Sequence, residues 1–277
     1  MRLAPFLPTL TGAVGSPPMS HLSPGPDPGR VCDHQLAGLL ARQAGCLLVD
    51  VRHQAWSQGR TRHQVMEMGD RAAHDHLVDC LARMRPDDAV LSEEGDDDSR
   101  RLSSERVWIL DPLDGTRDYG VPGSVEWAVH VALVVNGVPV AAAVDLPAVG
   151  RLYGTLQEPV EGGRNLQRDR PVVITSRSQW GEAEHVAAAI GGVVRSCGSA
   201  GVKAMAVVEG TADVYVHPSG LYEWDVCAPA AVAAAAGLDV CGMDGSDLSY
   251  NKARPVVPGL LVTRPEYTSR VRASLAW

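Results

Sequence analysis

The chain has 277 residues, with a hydrophobic fraction of 45% and a charged fraction of 21%, a globular composition that excludes disorder along its whole length. Its formal net charge of -8 argues against a non-specific nucleic-acid binder, because such proteins carry a basic surface. No stretch approaches the roughly 18 consecutive apolar residues of a membrane-spanning helix. We therefore expect a cytoplasmic protein without nucleic-acid or membrane partners.

The six cysteines are widely spaced, and none forms a Cys-x-x-Cys pair, so a zinc or thioredoxin-type site is not indicated. In a chain of this size, this spacing favours reduced, mostly buried thiols over disulfides.

Residues 1–30 are rich in Pro, Gly and Ser and are predicted to be a disordered N-terminal tail. The alternative is a secretory signal. It is disfavoured because Pro5 and Pro8 interrupt the apolar stretch and no Ala-x-Ala cleavage site follows.

Residues 31–156 are predicted to form an α+β half. Apolar residues at helical spacing indicate a helix capped by Asp33 and a second helix that follows Gly69 and stops at Pro86. Asn136-Gly137 lies between two alternating apolar runs and predicts a hairpin. The predicted strands of this half are Ala89–Ser92, Val107–Leu110, Trp127–Val135 and Val138–Leu146.

Residues 157–277 are predicted to form an α/β half, with the boundary in the polar segment over residues 157–171. Strands alternate with helices, which argues for a layered α/β arrangement. The predicted strands are Val172–Thr175, Val193–Ser196, Ala212–Val216 and Gly259–Thr263. The predicted helices are Trp180–Ile190, Ala200–Glu209, an Ala-rich helix from Asp225 and a last helix after Thr263.

Carboxylates follow two of the predicted strands directly. Glu93-Glu94 comes after the first strand, and Asp111-Pro112-Leu113-Asp114-Gly115-Thr116 comes after the second. Crowded carboxylates repel each other unless cations compensate, and hard oxygen ligands of this kind suit Mg²⁺. Gly115 and Thr116 resemble a helix start, where exposed N–H groups favour phosphate.

A structural interpretation competes with this one, because Asp-Pro and Asp-Gly are common turn dipeptides. Asp96-Asp97-Asp98 is predicted to be a solvated loop rather than a set of ligands. Asp225 is predicted at a helix N-terminus, and taken alone it would be a cap and nothing more.

Taken together, these residues resemble the lithium-sensitive, Mg²⁺-dependent phosphomonoesterase superfamily of inositol monophosphatases, fructose-1,6-bisphosphatases and 3′(2′),5′-bisphosphate nucleotidases. Its two signatures, Asp-Pro-[Leu/Ile]-Asp-Gly-Thr and Trp-Asp-x-x-Ala, stand here at residues 111–116 and 224–228. Glu93-Glu94 and residues 69–73 match the family as well. The resemblance implies a layered αβαβα sandwich and a small phosphorylated substrate, in a monomer or a homodimer.

The resemblance also implies two or three Mg²⁺ ions, for which Mn²⁺ could substitute and which Li⁺ would disturb. Glu93, Asp111 and the carbonyl of Leu113 would hold the first ion. Asp111, Asp114 and Asp225 would hold the second.

The catalytic residues implied by the resemblance are Asp70, Glu93 and Thr116, which would orient the attacking water. Gly115 and Thr116 would grip the phosphate, and Lys203 and His217 are candidates for a remote phosphate. For these last two, a solvent-facing lysine and a strand-end histidine are the alternatives. The full set expected around the substrate is Glu93, Leu113, Asp114, Gly115, Thr116, Ser199, Lys203, His217 and Asp225.

Within the superfamily, Arg117-Asp118-Tyr119, Glu223 and Tyr250-Asn251-Lys252 resemble the bisphosphate nucleotidases of the CysQ type. Two features depart from that branch. His217 replaces an Arg, and the loop over residues 198–203 has the length typical of inositol monophosphatases.

The sequence therefore predicts a nucleotidase that converts 3′-phosphoadenosine 5′-phosphate to AMP, as in sulfonucleotide recycling. An inositol-1-monophosphatase or a fructose-1,6-bisphosphatase is the alternative. A non-catalytic metal-binding regulatory protein is the third possibility, although the intact set of acidic residues argues against it.

Overall fold

The computed structural model describes residues 31–156 and 169–275. The predicted N-terminal tail and the first part of the predicted boundary segment lie outside the described residues. The helices are α1 (Asp33–Ser57), α2 (Arg62–Met84), α3 (Thr116–Tyr119), α4 (Trp180–Ile190), α5 (Ala200–Val208), α6 (Glu223–Ala235) and α7 (Pro265–Ser274). Among these elements, none combines the length and the apolar character needed to cross a bilayer.

The first sheet has five strands in chain order, β1 (Ala89–Ser92), β2 (Arg106–Asp114), β3 (Ala128–Val135), β4 (Val138–Leu146) and β5 (Arg151–Gly154). β1 and β2 are parallel, and the remaining pairs are antiparallel. The predicted hairpin is confirmed: Asn136 and Gly137 have φ values of 50° and 81°, as a tight type I′ turn requires.

The second sheet consists of β6 (Val172–Thr175), β7 (Val193–Ser196), β8 (Val214–His217), β10 (Asp239–Cys241) and β12 (Leu260–Thr263). Their order across the sheet is β10-β12-β8-β6-β7. A two-stranded pair of β9 (Leu221–Tyr222) and β11 (Val256–Val257) stands apart from both sheets and leads into α6.

The helices cover both sheets in layers. α1 and α2 pack on the first sheet, α5 and α6 lie between the sheets, and α4 and α7 pack beside the second sheet. Burial of apolar side chains between the layers drives this arrangement, and residues such as Leu40, Trp108 and Val173 are fully buried. The predicted αβαβα sandwich is confirmed.

The predicted start of the second helix is wrong. α2 begins at Arg62 because Thr61 caps it: the Thr61 hydroxyl accepts a hydrogen bond from Gln64 N, and the Gln64 side chain accepts one from Thr61 N. Gly69 therefore lies inside α2, where a Cβ would come within 2.6 Å of the Tyr119 ring. A glycine there lets α3 pack closely against α2.

The predicted cap of α1 also differs. The N-cap is Cys32, and the Asp33 carboxylate instead forms ion pairs with Arg85 and Arg106. All six cysteines are free thiols, four of them buried, as the wide spacing predicted.

The acidic run over residues 96–98 is exposed, as predicted, but two of its residues are also paired. Asp97 forms an ion pair with Arg101, whose side chain is only 1% exposed. Asp98 accepts a hydrogen bond from Arg100 N and caps a short 3₁₀ turn. Asp97 therefore supports the buried Arg101.

Candidate active site

The parallel pairing of β1 with β2 brings the two groups of carboxylates together. Ser92, the last residue of β1, pairs with Leu110 inside β2. Glu93 directly follows β1 and Asp111 directly follows Leu110, so the two residues lie side by side where β1 ends. The sequence predicted carboxylates after two separate strands, and the parallel pairing of β1 with β2 brings those carboxylates next to each other.

A break in the β2–β3 register sets the spacing within the Asp-Pro-Leu-Asp segment. The register shifts between Asp111 and Asp114, and Asp111 Oδ1 accepts a hydrogen bond from Leu113 N at 3.1 Å. Such bulges re-aim side chains at the edge of a sheet. One carboxylate oxygen from each of Asp111, Asp114 and Asp225 consequently lies within 4.8 Å of the others.

Asp225 reaches this cluster from the first turn of α6, which begins two residues before the predicted start. Its Oδ2 accepts a hydrogen bond from Tyr222 N at 2.7 Å, which closes the first turn of the helix. Asp225 is therefore a capping residue and also a member of the acidic cluster.

His130 on β3 is a site residue that the sequence analysis missed. It pairs with Asp111 across the β2–β3 ladder, and its Nε2 lies 3.2 Å from Asp114 Oδ2. Its Nδ1 lies 3.2 Å from the carbonyl oxygen of Trp224, which ties β3 to the start of α6. The available signal was a polar ring between Val129 and Val131 in a fully buried strand.

The loop before α5 holds the Asp114 carboxylate. Ser199 Oγ and Gly201 N both donate to Asp114 Oδ2, the nitrogen at 2.7 Å. A Cβ at Gly201 would lie 2.2 Å from His130 Nε2, so only glycine fits. These contacts all fall on Oδ2, which orients the carboxylate. Ser199 was expected to contact substrate, and the structure places it behind Asp114.

The carboxyls of the cluster have perturbed pKa values. Burial and the neighbouring carboxylates raise the pKa of Asp111 well above its usual range. Removal from water, then repulsion by Asp225, raises the pKa of Glu93 to about 7, and burial and Asp114 raise that of Asp225 to about 6. Burial would raise the pKa of Asp114 too, but His130, Lys203 and Ser199 together outweigh burial and lower that pKa to about 2.

This donor set fits a hard divalent cation. Asp111 is 1% exposed, and no hydrogen-bond donor in the described part of the chain reaches its Oδ2. A buried carboxylate oxygen without a donor is costly, and a cation removes that cost. The cluster of Asp111, Asp114 and Asp225, with Glu93 beside it, could therefore bind metal.

We expect the Mg²⁺ concentration that gives half-maximal activity to fall as the pH rises from about 5 to about 8. Protons compete with the cation for Asp225 and Glu93, whose pKa values lie near 6 and 7. The measurement is a Mg²⁺ titration of the initial rate at each pH. A requirement that stays flat or increases with pH would contradict the proposed ligands.

Without metal, the carboxyls of Glu93 and Asp225 should make the folded protein less stable as the pH rises, whereas their affinity for metal increases with pH. Their folded-state pKa values are raised, so the folded protein binds protons more tightly than the unfolded chain does. In EDTA, the stability that these carboxyls contribute should be fully present at low pH and lost as the pH rises through 6 to 7. Thermal denaturation in EDTA measures this.

Asp70 and Thr116 lie together, as the resemblance implied. The Thr116 hydroxyl lies 3.3 Å from Asp70 Oδ1 and 3.0 Å from the Leu113 carbonyl oxygen. Partial burial, together with Glu94, raises the pKa of Asp70 to about 7. Gly115 caps α3 with φ of 86°, and a Cβ there would lie 2.6 Å from the carbonyl oxygen of Glu126.

Lys203 is buried in the first turn of α5 and does not face solvent, so the solvent-facing alternative is wrong. Its Nζ donates to the carbonyl oxygens of Cys197, Gly198 and Ser199, at 3.2, 2.9 and 2.8 Å. An ammonium has three protons, so this lysine uses all of them on the loop that holds Asp114.

His217 ends β8, as the strand-end alternative expected, and its side chain is buried. Burial, with Lys203 nearby, lowers its pKa to about 4, so the ring is neutral at physiological pH. In the described part of the chain, Nδ1 of this ring has no hydrogen-bond partner.

A set of hydrogen bonds links the buried Glu223 to Asn251 and Lys252, three of the residues that resemble the nucleotidases. The Glu223 side chain is fully buried and accepts hydrogen bonds from Asn251 N at 2.6 Å and Lys252 N at 3.1 Å. Asn251 also bonds the buried Arg101. These contacts fix the segment before α6 and, through it, Asp225.

The described geometry is that of a metal-dependent phosphatase of the sandwich type, and the comparisons agree. The model of the inositol monophosphatase family matches residues 35–275, and the chain belongs to that family. Over 245 residues it is 40% identical to the 3′-phosphoadenosine 5′-phosphate phosphatase of Mycobacterium bovis, covering 84% of this chain and 89% of the relative.

Two further comparisons point to the same branch. The chain is 30% identical over 246 residues to the 3′(2′),5′-bisphosphate nucleotidase CysQ of Escherichia coli O157:H7, covering 81% of this chain and 96% of the relative. The crystal structure of CysQ from Bacteroides thetaiotaomicron superposes with a TM-score of 0.70 at 27% identity, covering 83% of this chain and 96% of that one. The predicted family and enzyme class, a phosphoric monoester hydrolase, are confirmed.

Proposed function

We propose that this chain hydrolyses 3′-phosphoadenosine 5′-phosphate to AMP and inorganic phosphate in a Mg²⁺-dependent reaction. The observation that carries the proposal is the convergence of Asp111, Asp114 and Asp225 within 4.8 Å. The choice of substrate is supported by the 40% identity to a phosphatase of that name.

The metal ligands proposed are those that the family resemblance implied. Glu93, Asp111 and the Leu113 carbonyl would hold one ion, and Asp111, Asp114 and Asp225 another, with Mn²⁺ as a possible substitute. Bound Mg²⁺ would lower the pKa of a water molecule and offset the charge of the phosphate. His130, Ser199 and Gly201 keep Asp114 oriented for this role.

Asp70 and Thr116, with Glu93, would orient the attacking water, and the Asp70 carboxylate would accept its proton. A carboxyl with a pKa of about 7 is suited to general-base catalysis near neutral pH. The Thr116 hydroxyl lies between Asp70 and the Leu113 carbonyl, so it can donate to either while it accepts from water. Backbone N–H groups of Gly115 and Thr116 would bind the phosphate.

A remote phosphate would meet a neutral group at His217. Because this ring stays uncharged, it can offer a hydrogen bond but not a positive charge. Lys203 would act on the substrate through the loop it holds, since its protons are used on that loop.

A substrate panel tests the proposal. Phosphate release is measured from 3′-phosphoadenosine 5′-phosphate, inositol 1-phosphate and fructose 1,6-bisphosphate, each with Mg²⁺ and with EDTA. We expect the highest kcat/KM on the nucleotide and no activity in EDTA. A higher kcat/KM on inositol 1-phosphate would overturn the nucleotidase assignment, and no release from any ester would favour a non-catalytic metal-binding protein.

Lithium should inhibit the enzyme uncompetitively with respect to substrate. Asp111, Asp114 and Asp225 would have to release their cation with the product phosphate, so we expect this position to bind cations loosely. A small monovalent cation that enters after substrate carries half the charge and cannot replace Mg²⁺. Initial rates against substrate at several LiCl concentrations measure the pattern, with NaCl as the ionic-strength control. Equal inhibition by both salts would contradict a loose second position.

A small phosphorylated metabolite as the substrate also supports the proposed cytoplasmic location, without nucleic-acid or membrane partners. A monomer and a homodimer remain the two oligomeric states proposed.

A further inference from the structure

Two aromatic side chains are stacked on each other immediately before Asp225. The rings of Tyr222 and Trp224 have centroids 4.6 Å apart and planes inclined by only 3°. Tyr222 is 47% exposed although its ring stacks on Trp224. The reaction steps derived above do not use this pair.

The stack is fixed to the metal-binding cluster at both of its residues. Tyr222 N donates to Asp225 Oδ2 at 2.7 Å, and the Trp224 carbonyl oxygen lies 3.2 Å from Nδ1 of His130. His130 in turn lies 3.2 Å from Asp114 Oδ2. A group bonded through its phosphate to the cluster would thus have a preformed aromatic platform close by.

The strand pair of β9 and β11 holds Tyr222 from the other side. Tyr222 pairs with Val256, whose carbonyl oxygen accepts a hydrogen bond from Lys252 Nζ at 2.8 Å. Tyr222 N bonds Asp225, and the next residue, Glu223, donates its N–H to the Pro255 carbonyl oxygen at 3.0 Å. The backbone is therefore held on two sides of Tyr222 while the residue is 47% exposed. A rigid backbone with an exposed aromatic ring loses little entropy when a planar group stacks on it.

We propose that Tyr222, backed by Trp224, is a specificity-determining residue that stacks on the base of a nucleotide substrate. This inference rests on the proposed nucleotidase function and adds a residue that selects nucleotides over inositol or sugar phosphates. A purine has a large π-face and stacks on aromatic rings, whereas a polyol or a sugar offers no such face. The stack therefore stabilises binding of the nucleotide and leaves the bond-breaking step to the carboxylates.

The test compares Tyr222→Ala and Tyr222→Phe with the wild-type enzyme in MgCl₂. Trp180→Ala is the matched control, because Trp180 is also a partly exposed aromatic residue, at the first position of α4. Substrates are 3′-phosphoadenosine 5′-phosphate and inositol 1-phosphate. A second readout is the Kd of AMP by calorimetry, which does not depend on turnover.

We expect Tyr222→Ala to raise the KM for the nucleotide and the Kd of AMP by on the order of 10-fold, which corresponds to the loss of one base–aromatic stack. Its kcat, and both parameters on inositol 1-phosphate, should change less than about 2-fold, since an exposed side chain contributes little to folding. Tyr222→Phe keeps the ring and should match the wild-type enzyme, as should Trp180→Ala.

Equal losses on both substrates would overturn the inference, because Tyr222 would then act by positioning Asp225. An unchanged Kd for AMP in Tyr222→Ala would overturn it as well. These results differ from failure of the proposed function, in which the wild-type enzyme itself releases no phosphate from the nucleotide or prefers inositol 1-phosphate.

Discussion

Asp111→Asn should lower kcat by about 1,000-fold or more, because it removes the carboxylate at the centre of the metal-binding cluster. Asp111 is 1% exposed and interacts with both Glu93 and Asp114, and its Oδ2 meets no hydrogen-bond donor in the described residues. An amide oxygen can still accept the hydrogen bond from Leu113 N. The local turn should therefore persist while the charge is lost.

The same variant should gain stability in EDTA. The raised pKa of Asp111 means that its charged form is unfavourable in the folded protein, and Asn removes that charge. We expect a higher Tm than wild type in EDTA and a smaller increase on adding Mg²⁺, both measured by thermal denaturation. The control is Asp50→Asn, because Asp50 is an exposed carboxylate on α1. Asp97 would be a poorer control, since it forms an ion pair with the buried Arg101. Comparable activity losses in the Asp111 and Asp50 variants would contradict the assignment.

Lys203→Met should lower kcat/KM by about 10- to 100-fold on every phosphate ester that the enzyme hydrolyses. The ammonium of Lys203 holds three carbonyl oxygens of residues 197–199, and Ser199 in that loop donates to Asp114. Removing it takes a hydrogen-bond donor from each of these carbonyl oxygens and a neighbouring positive charge from Asp114. Losing these hydrogen bonds should also lower the free energy of unfolding, by about 1–3 kcal/mol.

The choice of substrates separates two roles for this lysine. A contact with a remote phosphate predicts a loss confined to 3′-phosphoadenosine 5′-phosphate, whereas the observed contacts predict a loss on inositol 1-phosphate too. Steady-state kinetics on both esters, with the free energy of unfolding from urea denaturation, measure the outcome. Unchanged activity on inositol 1-phosphate would show that Lys203 does not hold Asp114 in place.

Local chemistry allowed much of the fold to be predicted from the sequence. Asn136-Gly137 fixes a turn through its own backbone preferences. The strands on either side are mostly buried on both faces, because α1 packs on one face of the sheet and α6 on the other. The start of α2 was missed, although its signal is equally local. Thr61 and Gln64 form a capping box, and Thr61 lies eight positions before Gly69, which the predicted helix follows. The β9 and β11 strands were missed because two residues each are too few for a periodic pattern to show.

The sequence by itself determined the family and the reaction class, because short motifs carry the resemblance, and those motifs contain Asp111, Asp114 and Asp225, which the fold brings together. Only the tertiary structure decided that His130 faces Asp114 and that Lys203 is buried behind the same carboxylate. The physical reason is that strand register and helix packing set these contacts between residues far apart in the chain. No local pattern in the sequence shows which buried basic side chain will lie beside which carboxylate.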